Sequence, residues 1–329
     1  MIDGIVLYSG GLDSLIAAKV LLNQNLKIIG FHCILPFIAP DVNPDQLPAS
    51  KLAEQINLPL HFYKCDKDYI DMVKNPAHGY GKNMNPCIDC KIHFIKKAYE
   101  YMKEINASFI ATGEVVGQRP MSQMKHMLMH IINETDTDNR LLRPLSAKLL
   151  EPTRPEIDGI VNRELLYGIS GRTRQAQMDL AELFGIKSYA SPGGGCLFTD
   201  PNIAKRVKDL IDRNQVCVQI DFYLLTLGRH LRINSDLKVI IGRNEYENHE
   251  LFKFRDNADL FFEPEFKGPA GYVKGKCTEA DKKFIAKIIG RYGKPEKGNC
   301  KIMIYNKKLS EIIEVTEKID DSELDLLRI

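Results

Sequence analysis

From Gly4 onward the chain alternates short apolar runs with stretches of helical periodicity. Gly4 to Tyr8 is a continuous apolar run of strand length, and Asp13 to Asn23 spaces its apolar residues as a helix does. Lys27 to Leu35 and Leu60 to Cys65 read as further strands, with a helix at Leu47 to Ile56 between them. Cys87 to Ile105 is the longest predicted helix, with Phe94, Ala98, Tyr101 and Ile105 at helical spacing, and a strand follows at Ser108 to Thr112. Strands alternating with helices predict an α/β unit with a doubly wound parallel sheet. Ligands in such sheets sit beyond the carboxyl ends of the strands, so the positions after Tyr8, Phe31 and Ala111 are where chemistry is expected.

Residues 116–200 read as helices and loops of the same unit, closing on the glycine-rich loop Ser191-Pro192-Gly193-Gly194-Gly195-Cys196. The first domain is therefore expected over 1–200, with a connecting helix over 201–215. From Val216 the pattern changes, with strands expected at Val216 to Leu227, Lys238 to Ile241, Leu260 to Phe262 and Lys301 to Tyr305, and helices near 245–254 and 279–292. That predicts a smaller C-terminal α+β domain over 216–308, followed by an acidic tail over 309–329.

A length of 329 residues suits two domains. The 44 % hydrophobic and 27 % charged content, without an apolar run of 18 residues, excludes membrane-spanning and disordered classes. Met1 to Ser9 has no basic start and runs into a core strand, so no targeting signal is expected and the reading is cytoplasmic. Eight cysteines in a reducing compartment read as thiols or metal ligands rather than as a disulfide framework. Net charge is +2, but residues 201–308 hold 22 Lys/Arg against 14 Asp/Glu, while residues 309–329 hold 2 against 7. A basic body beside an acidic end suits a polyanion partner without being diagnostic of one.

Ser9-Gly10-Gly11-Leu12-Asp13-Ser14 lies between the first strand and first helix, where free backbone N–H groups and the positive helix end hold anions. Neither a Gly-x-Gly-x-x-Gly nor a Gly-x4-Gly-Lys-Ser/Thr motif fits. The alternative is a plain glycine turn in which Asp13 and Ser14 cap the helix. The segment resembles the pyrophosphate loop of the PP-loop (N-type) ATP pyrophosphatases, whose fold is adenine nucleotide alpha hydrolase-like. That resemblance implies ATP bound by Ser9, Gly10, Gly11, Asp13 and Ser14, with Asp13 helping to hold Mg²⁺. His32 and Gly113, at the ends of two other strands, line the same edge, or in the case of His32 pack as ordinary core.

Asn85-Pro86-Cys87-Ile88-Asp89-Cys90-Lys91 opens the long helix, with Asn85 as its expected cap. Cys87 and Cys90 share one face near the helix N-terminus, and the cations Lys91, His93, Lys96 and Lys97 that follow predict thiols that ionise easily. Cys196 behind its glycines supplies a third thiol. Two chemistries remain open for the trio. Three thiolates can hold a [4Fe–4S] cluster with one iron free for sulfide, or one cysteine carries a persulfide that another resolves. Structural zinc lacks an evident fourth ligand. Cys33, Cys65, Cys217, Cys277 and Cys300 read as small buried hydrophobes.

Thr112-Gly113-Glu114-Val115-Val116-Gly117-Gln118, then Ser122-Gln123 and Arg143-Pro144-Leu145, is similar to 4-thiouridine synthases, and Asn-Pro-Cys at Asn85 resembles the 2-thiouridylases. The resemblance implies that the first unit is a tRNA thiolation PP-loop domain with Cys87, Cys90 and Cys196 as catalytic or metal-ligating residues, the iron–sulfur-dependent members matching their spacing better. It departs from standard 4-thiouridine synthases in having no THUMP region before the loop. Gly242-Arg243-Asn244-Glu245-Tyr246-Glu247-Asn248 resembles the NFACT RNA-binding domain, implying that Arg243, Asn244 and Asn248 contact RNA; the alternative is a capped turn with Asn244 as cap. The expected function is an ATP-dependent tRNA uridine sulfurtransferase, with tRNA and a sulfur donor (sulfide or a cysteine desulfurase) as partners and no membrane. A PP-loop ligase or sulfur-inserting enzyme on a small molecule, and a nucleotide-sensing RNA-binding protein without turnover, are the alternatives. Arg172 and Arg174 read as a solvated helix face rather than as phosphate contacts.

Overall fold

The structure, a computed structural model, describes residues 1–190, 196–214, 216–295, 300–306, 310–315 and 317–329. The expected loop at Ser191 to Gly195 lies outside the described residues. The chain divides into two compact units, Met1–Asp200 and Pro201–Ile329.

The first unit runs β1 Gly4–Leu7, α1 Leu12–Leu22, β2 Ile28–Ile34, α2 Pro48–Glu54, β3 Leu60–Lys64, α3 Lys67–Lys74, α4 Cys87–Glu104, β4 Phe109–Thr112, α5 Lys125–Thr135, β5 Leu141–Leu142, α6 Arg154–Ile157 and α7 Gln175–Leu183. Its five strands pair in parallel in the order β3-β2-β1-β4-β5. The reversal at β1 makes the sheet doubly wound, and helices cover both faces. Side chains alternate across the pleat, so Val6 and Ala111 join the core under α1, while Ile5 and Ile110 join the core under α4 and α5. Both faces being covered explains why β1 reads as an unbroken apolar run.

The buried stripe of α4 is Ile92, Ile95, Ala98 and Met102. Phe94 and Tyr101 from the expected stripe lie at its flanks, where Phe94 stacks on Tyr69 and Tyr101 on His61. Aromatic length lets such flank positions reach neighbouring rings without entering the core.

The second unit runs α8 Pro201–Arg213, α9 Gln219–Leu224, β6 Arg229–Arg232, β7 Lys238–Ile241, α10 Glu245–Lys253, β8 Leu260–Pro264, β9 Gly271–Lys274, α11 Glu279–Tyr292, β10 Lys301–Tyr305, β11 Ser310–Glu314 and α12 Asp321–Leu326. The sheet is antiparallel, in the order β11-β10-β8-β9-β7-β6. α11 packs Ile285, Ile288 and Ile289 into a core with Val239, Phe262 and Ile304.

Three expectations are corrected in this unit. The run Val216 to Leu227, read as a strand, holds helix α9. Phe222, Tyr223, Leu224 and Leu225 are all buried, and a continuous short apolar run fits an enclosed helix as well as a strand. The side chain of Asp221 accepts from Val218 N at 3.0 Å and starts the helix. The expected connector over 201–215 is α8, packed into the second unit by Ala204, Val207 and Leu210 and fastened by Asp209 to Arg232 and Lys238. Residues 309–329 are not a free acidic tail. β11 pairs with β10, and Ile319 and Leu324 are buried in the core. The acidic side chains instead meet bases of α11: Glu311 meets Lys282, Glu317 meets Lys287 and Asp321 meets Arg291.

Candidate functional site

β1 delivers the chain into a tight turn whose Gly10 has a φ of 77°, a left-handed conformation that side chains resist. Gly11 is the N-cap residue of α1. Ser14 Oγ donates to Gly11 O at 2.9 Å and lies 3.3 Å from both Ser9 N and Ser9 Oγ, so the two serines brace the turn. β4 ends against this turn. A Cβ on Gly113 would lie 2.5 Å from the carbonyl carbon of Asp13 and 2.6 Å from Ser14 N, so only glycine lets β4 approach the first turn of α1.

Asp13 Oδ2 accepts from Gln118 Nε2 at 2.9 Å and from Arg174 at 3.0 Å. Its other oxygen, Oδ1, is buried without a hydrogen-bond partner, as is one terminal nitrogen of Arg174. A buried carboxylate oxygen and a buried guanidinium N–H left unpaired beside each other are costly unless something polar completes them. The site therefore fits a cation at Asp13 and a phosphate at Arg174. Arg174 is consequently not on a solvated helix face; it ends the loop before α7, and its partner lies 161 residues away, beyond any local sequence signal.

His32 sits one layer beneath the loop. Its Nδ1 meets Tyr8 O at 2.9 Å, its ring stands edge-on to Phe62, and burial lowers its pKa. It braces the end of β1.

The cysteines lie at the start of α4. Asn85 does not cap this helix; its Oδ1 lies 3.7 Å from Cys196 Sγ. Cys87 Sγ is 3.5 Å from Ser122 Oγ, and Cys90 Sγ is 3.2 Å from the Tyr69 hydroxyl. The thiols sense one another: Cys90 is pushed up to about 12 by burial, with the Tyr69 hydroxyl opposing and the charges of Cys196 and Cys87 adding to the rise. Burial, then the charge of Cys87, likewise raises Cys196. Easy ionisation is thus corrected for these two. Three of the four groups expected to help are engaged elsewhere: Lys91 with Glu114, His93 with Tyr63, and Lys97 with Asp68 and Glu100. Thiols like these form thiolates when a metal or cluster supplies positive charge.

Glu114, quoted only as part of a motif in the sequence, joins the two regions. Its carboxylate takes Lys91 Nζ at 2.6 Å, Arg143 Nε at 3.0 Å and Thr112 Oγ1 at 3.1 Å. The residue after Cys90 is thereby fixed to the residue after Gly113. A second link runs through the backbone: Ala190 forms a parallel bridge with Gly11, while Cys196 is at Asn85. Six residue steps reach at most about 22 Å, which bounds the distance from Ala190 to Cys196.

The three expected RNA contacts are engaged within the second unit. Arg243 pairs with Glu247. Asn244 caps α10 by accepting from Glu247 N at 2.9 Å, as in the capped-turn alternative. Asn248 Oδ1 accepts from Ala270 N at 3.0 Å. Arg243 keeps an exposed flank; the two asparagines are tied into the fold. Among the described residues no helix is long and apolar enough to cross a membrane.

A doubly wound parallel sheet with a glycine turn after β1, in a unit separate from an antiparallel-sheet unit, defines an α/β domain joined to a smaller α+β domain. Residues 4–153 match the family described as tRNA methyl transferase HUP domain, and residues 228–325 match the NFACT protein RNA binding domain. The first unit is thus similar to a HUP domain and the second to an NFACT-type RNA-binding domain. It is 27 % identical over 168 residues to the tRNA-specific 2-thiouridylase MnmA of Enterococcus faecalis, covering 48 % of this chain and 44 % of that one. Its identity to a probable tRNA sulfurtransferase of Methanosarcina acetivorans is 28 % over 168 residues, 51 % of this chain and 39 % of the other. The chain therefore spans less than half the length of these curated relatives. Among solved structures, the U34-tRNA thiolase NcsA from Methanococcus maripaludis with its [4Fe-4S] cluster is 19 % identical, covers 68 % of this chain and 69 % of that chain, and has a TM-score of 0.32, too low to carry an inference.

Proposed function

We propose that this chain is an ATP-dependent tRNA sulfurtransferase that adenylates a uridine carbonyl oxygen and replaces it with sulfur. The observation that carries this reading is that one α/β unit holds both the glycine turn after β1 and the part-buried thiols Cys87, Cys90 and Cys196, with Lys91 and Glu114 tying the cysteine helix to the end of β4 beside that turn. The names of the curated relatives agree with it.

ATP phosphates lie on the N–H groups at the start of α1, and Arg174 stabilises the charge that builds at the α-phosphorus as the uracil oxygen attacks it. Pyrophosphate leaves, sulfide attacks the activated carbon, and AMP departs. Asp13 Oδ1 is the oxygen suited to Mg²⁺, and Cys87, Cys90 and Cys196 are the donors suited to a [4Fe–4S] cluster, which supplies a labile iron coordination position for sulfide. Burial raises Cys90 and Cys196, which favours that cofactor over a free persulfide on either of them, since persulfide chemistry needs an ionised thiol. Excluding water at the activated carbon prevents hydrolysis back to uridine. The second unit holds the RNA.

The test is nucleoside mass spectrometry of tRNA incubated anaerobically with the protein, ATP, Mg²⁺ and sulfide. Thiouridine is expected with the wild type and lost in Asp13→Ala and Cys90→Ala, both retaining tRNA binding. Thiouridine at wild-type levels in either variant overturns the reading.

A further inference from the structure

A second cluster of donors lies outside the thiol site, on the outer side of α4 and α5. His78, in the loop between α3 and α4, places Nε2 2.9 Å from Nε2 of His130. Four residues further along α5, and so on the same helix face, Glu134 brings a carboxylate oxygen to within 4.8 Å of both imidazole nitrogens.

The tautomer of His78 is set by its other nitrogen. Nδ1 lies 3.1 Å from Asp89 Oδ1, and a carboxylate only accepts, so Nδ1 carries the proton; in the neutral ring Nε2 then accepts the 2.9 Å bond from Nε2–H of His130, whose proton moves to its own Nδ1 when a cation takes both Nε2 atoms. Asp89 is itself buried and held by Ala77 N at 3.0 Å and His78 N at 3.2 Å, so the imidazole is aimed by a fixed group. A carboxylate that orients a histidine from behind, through the nitrogen not used for binding, is the usual outer partner of a metal-bound imidazole.

We propose that His78, His130 and Glu134 bind a zinc-type divalent cation, with Asp89 as positioning residue and water completing the shell. Two imidazoles and a carboxylate suit a borderline cation with tetrahedral preference. Glu134 and Asp89 together offset its double charge. Two nitrogens at zinc-bonding distance from one ion lie about 3.3 Å apart in a tetrahedron, so the present 2.9 Å contact opens only slightly when the ion enters. The site crosslinks the loop leading into Cys87 to α5, and Asp89, between Cys87 and Cys90, connects the ion to the first turn of the cysteine helix. The ion is separate from the thiol set and does not depend on the sulfurtransferase reading.

Full-length reduced protein, freed of metal by a chelator under anaerobic conditions, is titrated with Zn²⁺, with thiols counted in parallel. Wild type should bind one equivalent more than His130→Ala, whose thiol count is unchanged, and Glu134→Gln should bind that equivalent at least about 10-fold more weakly, since loss of even an outer partner of a ligand costs about 10–100-fold. Co²⁺ in place of zinc should give a band lost in His130→Ala without loss of the thiolate-to-cobalt charge-transfer band. Equal zinc stoichiometry in wild type and His130→Ala overturns the site. Should His130→Ala fail to fold, Glu134→Gln, which preserves size and lies on an exposed face, decides: wild-type zinc affinity in that variant overturns it.

Discussion

Asp13 uses one carboxylate oxygen on Arg174 and Gln118 and leaves the other buried and unpaired. An ion pair at a nucleotide site is poised rather than structural when each partner retains an unused polar atom, because ligand binding then completes both. Arg174→Ala is accordingly expected to lower thiolation on the order of 100-fold, the scale for removing one preorganised donor from a developing charge. A moderate loss of stability is expected beside it, because Asp13 keeps Gln118 but loses its counter-charge at a mostly buried position. Single-turnover kinetics beside a denaturation curve checks this; a variant that unfolds early but turns over normally would make Arg174 structural instead. Gly113 makes a complementary case. A methyl group there meets backbone atoms of Asp13 and Ser14 that cannot rotate aside. Gly113→Ala is expected to cost about 1–3 kcal/mol, the usual range for overpacking, and to weaken ATP binding while zinc binding at His130 is untouched. Isothermal titration with ATP separates these effects.

At the scale of elements, α4 is positioned by Glu114. Burial opposes its charge, but Lys91 and Arg143 overcome it and hold the carboxyl at about 2, against 4.5 in the open chain. A carboxyl depressed on folding adds stability that is complete above about pH 4.5 and is lost as pH falls toward 2. Glu114→Gln leaves Arg143 buried without its counter-charge and is expected to cost about 3–5 kcal/mol at neutral pH. The gap to wild type should narrow steadily between about pH 4.5 and 2, as the wild type loses its own charge. Urea midpoints across that range test it, and a pH-independent gap contradicts the charge argument. Nothing local in the sequence marks Glu114, Arg143 or Arg174 as partners, since each pair is separated by 23 residues or more. What the sequence did disclose was periodic: β1 to β4 and their helices follow from apolar spacing, and the Gly10 turn from its glycines. Periodicity failed at α9, where the consecutive residues Phe222, Tyr223 and Leu224 are all buried, and at the acidic end, where charge concealed Ile319 and Leu324. Thiol acidity was misread because helix position is visible in a sequence while burial is not.

For the molecule as a whole, charge decides where a polyanion can lie. Lys282, Lys287 and Arg291 on α11 are matched by Glu311, Glu317 and Asp321, so this face has little net attraction to offer. At the end of α10 the bases also have acidic neighbours, Glu250 3.9 Å from Lys253 and Asp256 4.0 Å from Arg255, but here aromatic rings lie beside them as well. Lys253 lies 5.4 Å from the Phe254 ring, and Arg255 lies over Phe252 at 4.1 Å and near Tyr305 at 5.9 Å. Tyr246 is largely exposed on the same helix. Exposed cations beside aromatic rings hold phosphates and stack bases together. If tRNA lies along this helix, each phosphate contact contributes about 0.7–0.9 to the slope of log affinity against log salt. Lys253→Ala and Arg255→Ala should then each lower that slope by about this amount, while Lys287→Ala and Arg291→Ala leave it unchanged or steepen it by freeing acidic partners. Fluorescence anisotropy with labelled tRNA over a salt series measures the slopes directly. Slopes that fall for the α11 variants and hold for the α10 variants would move the RNA to α11 and show that the acidic segment yields to it.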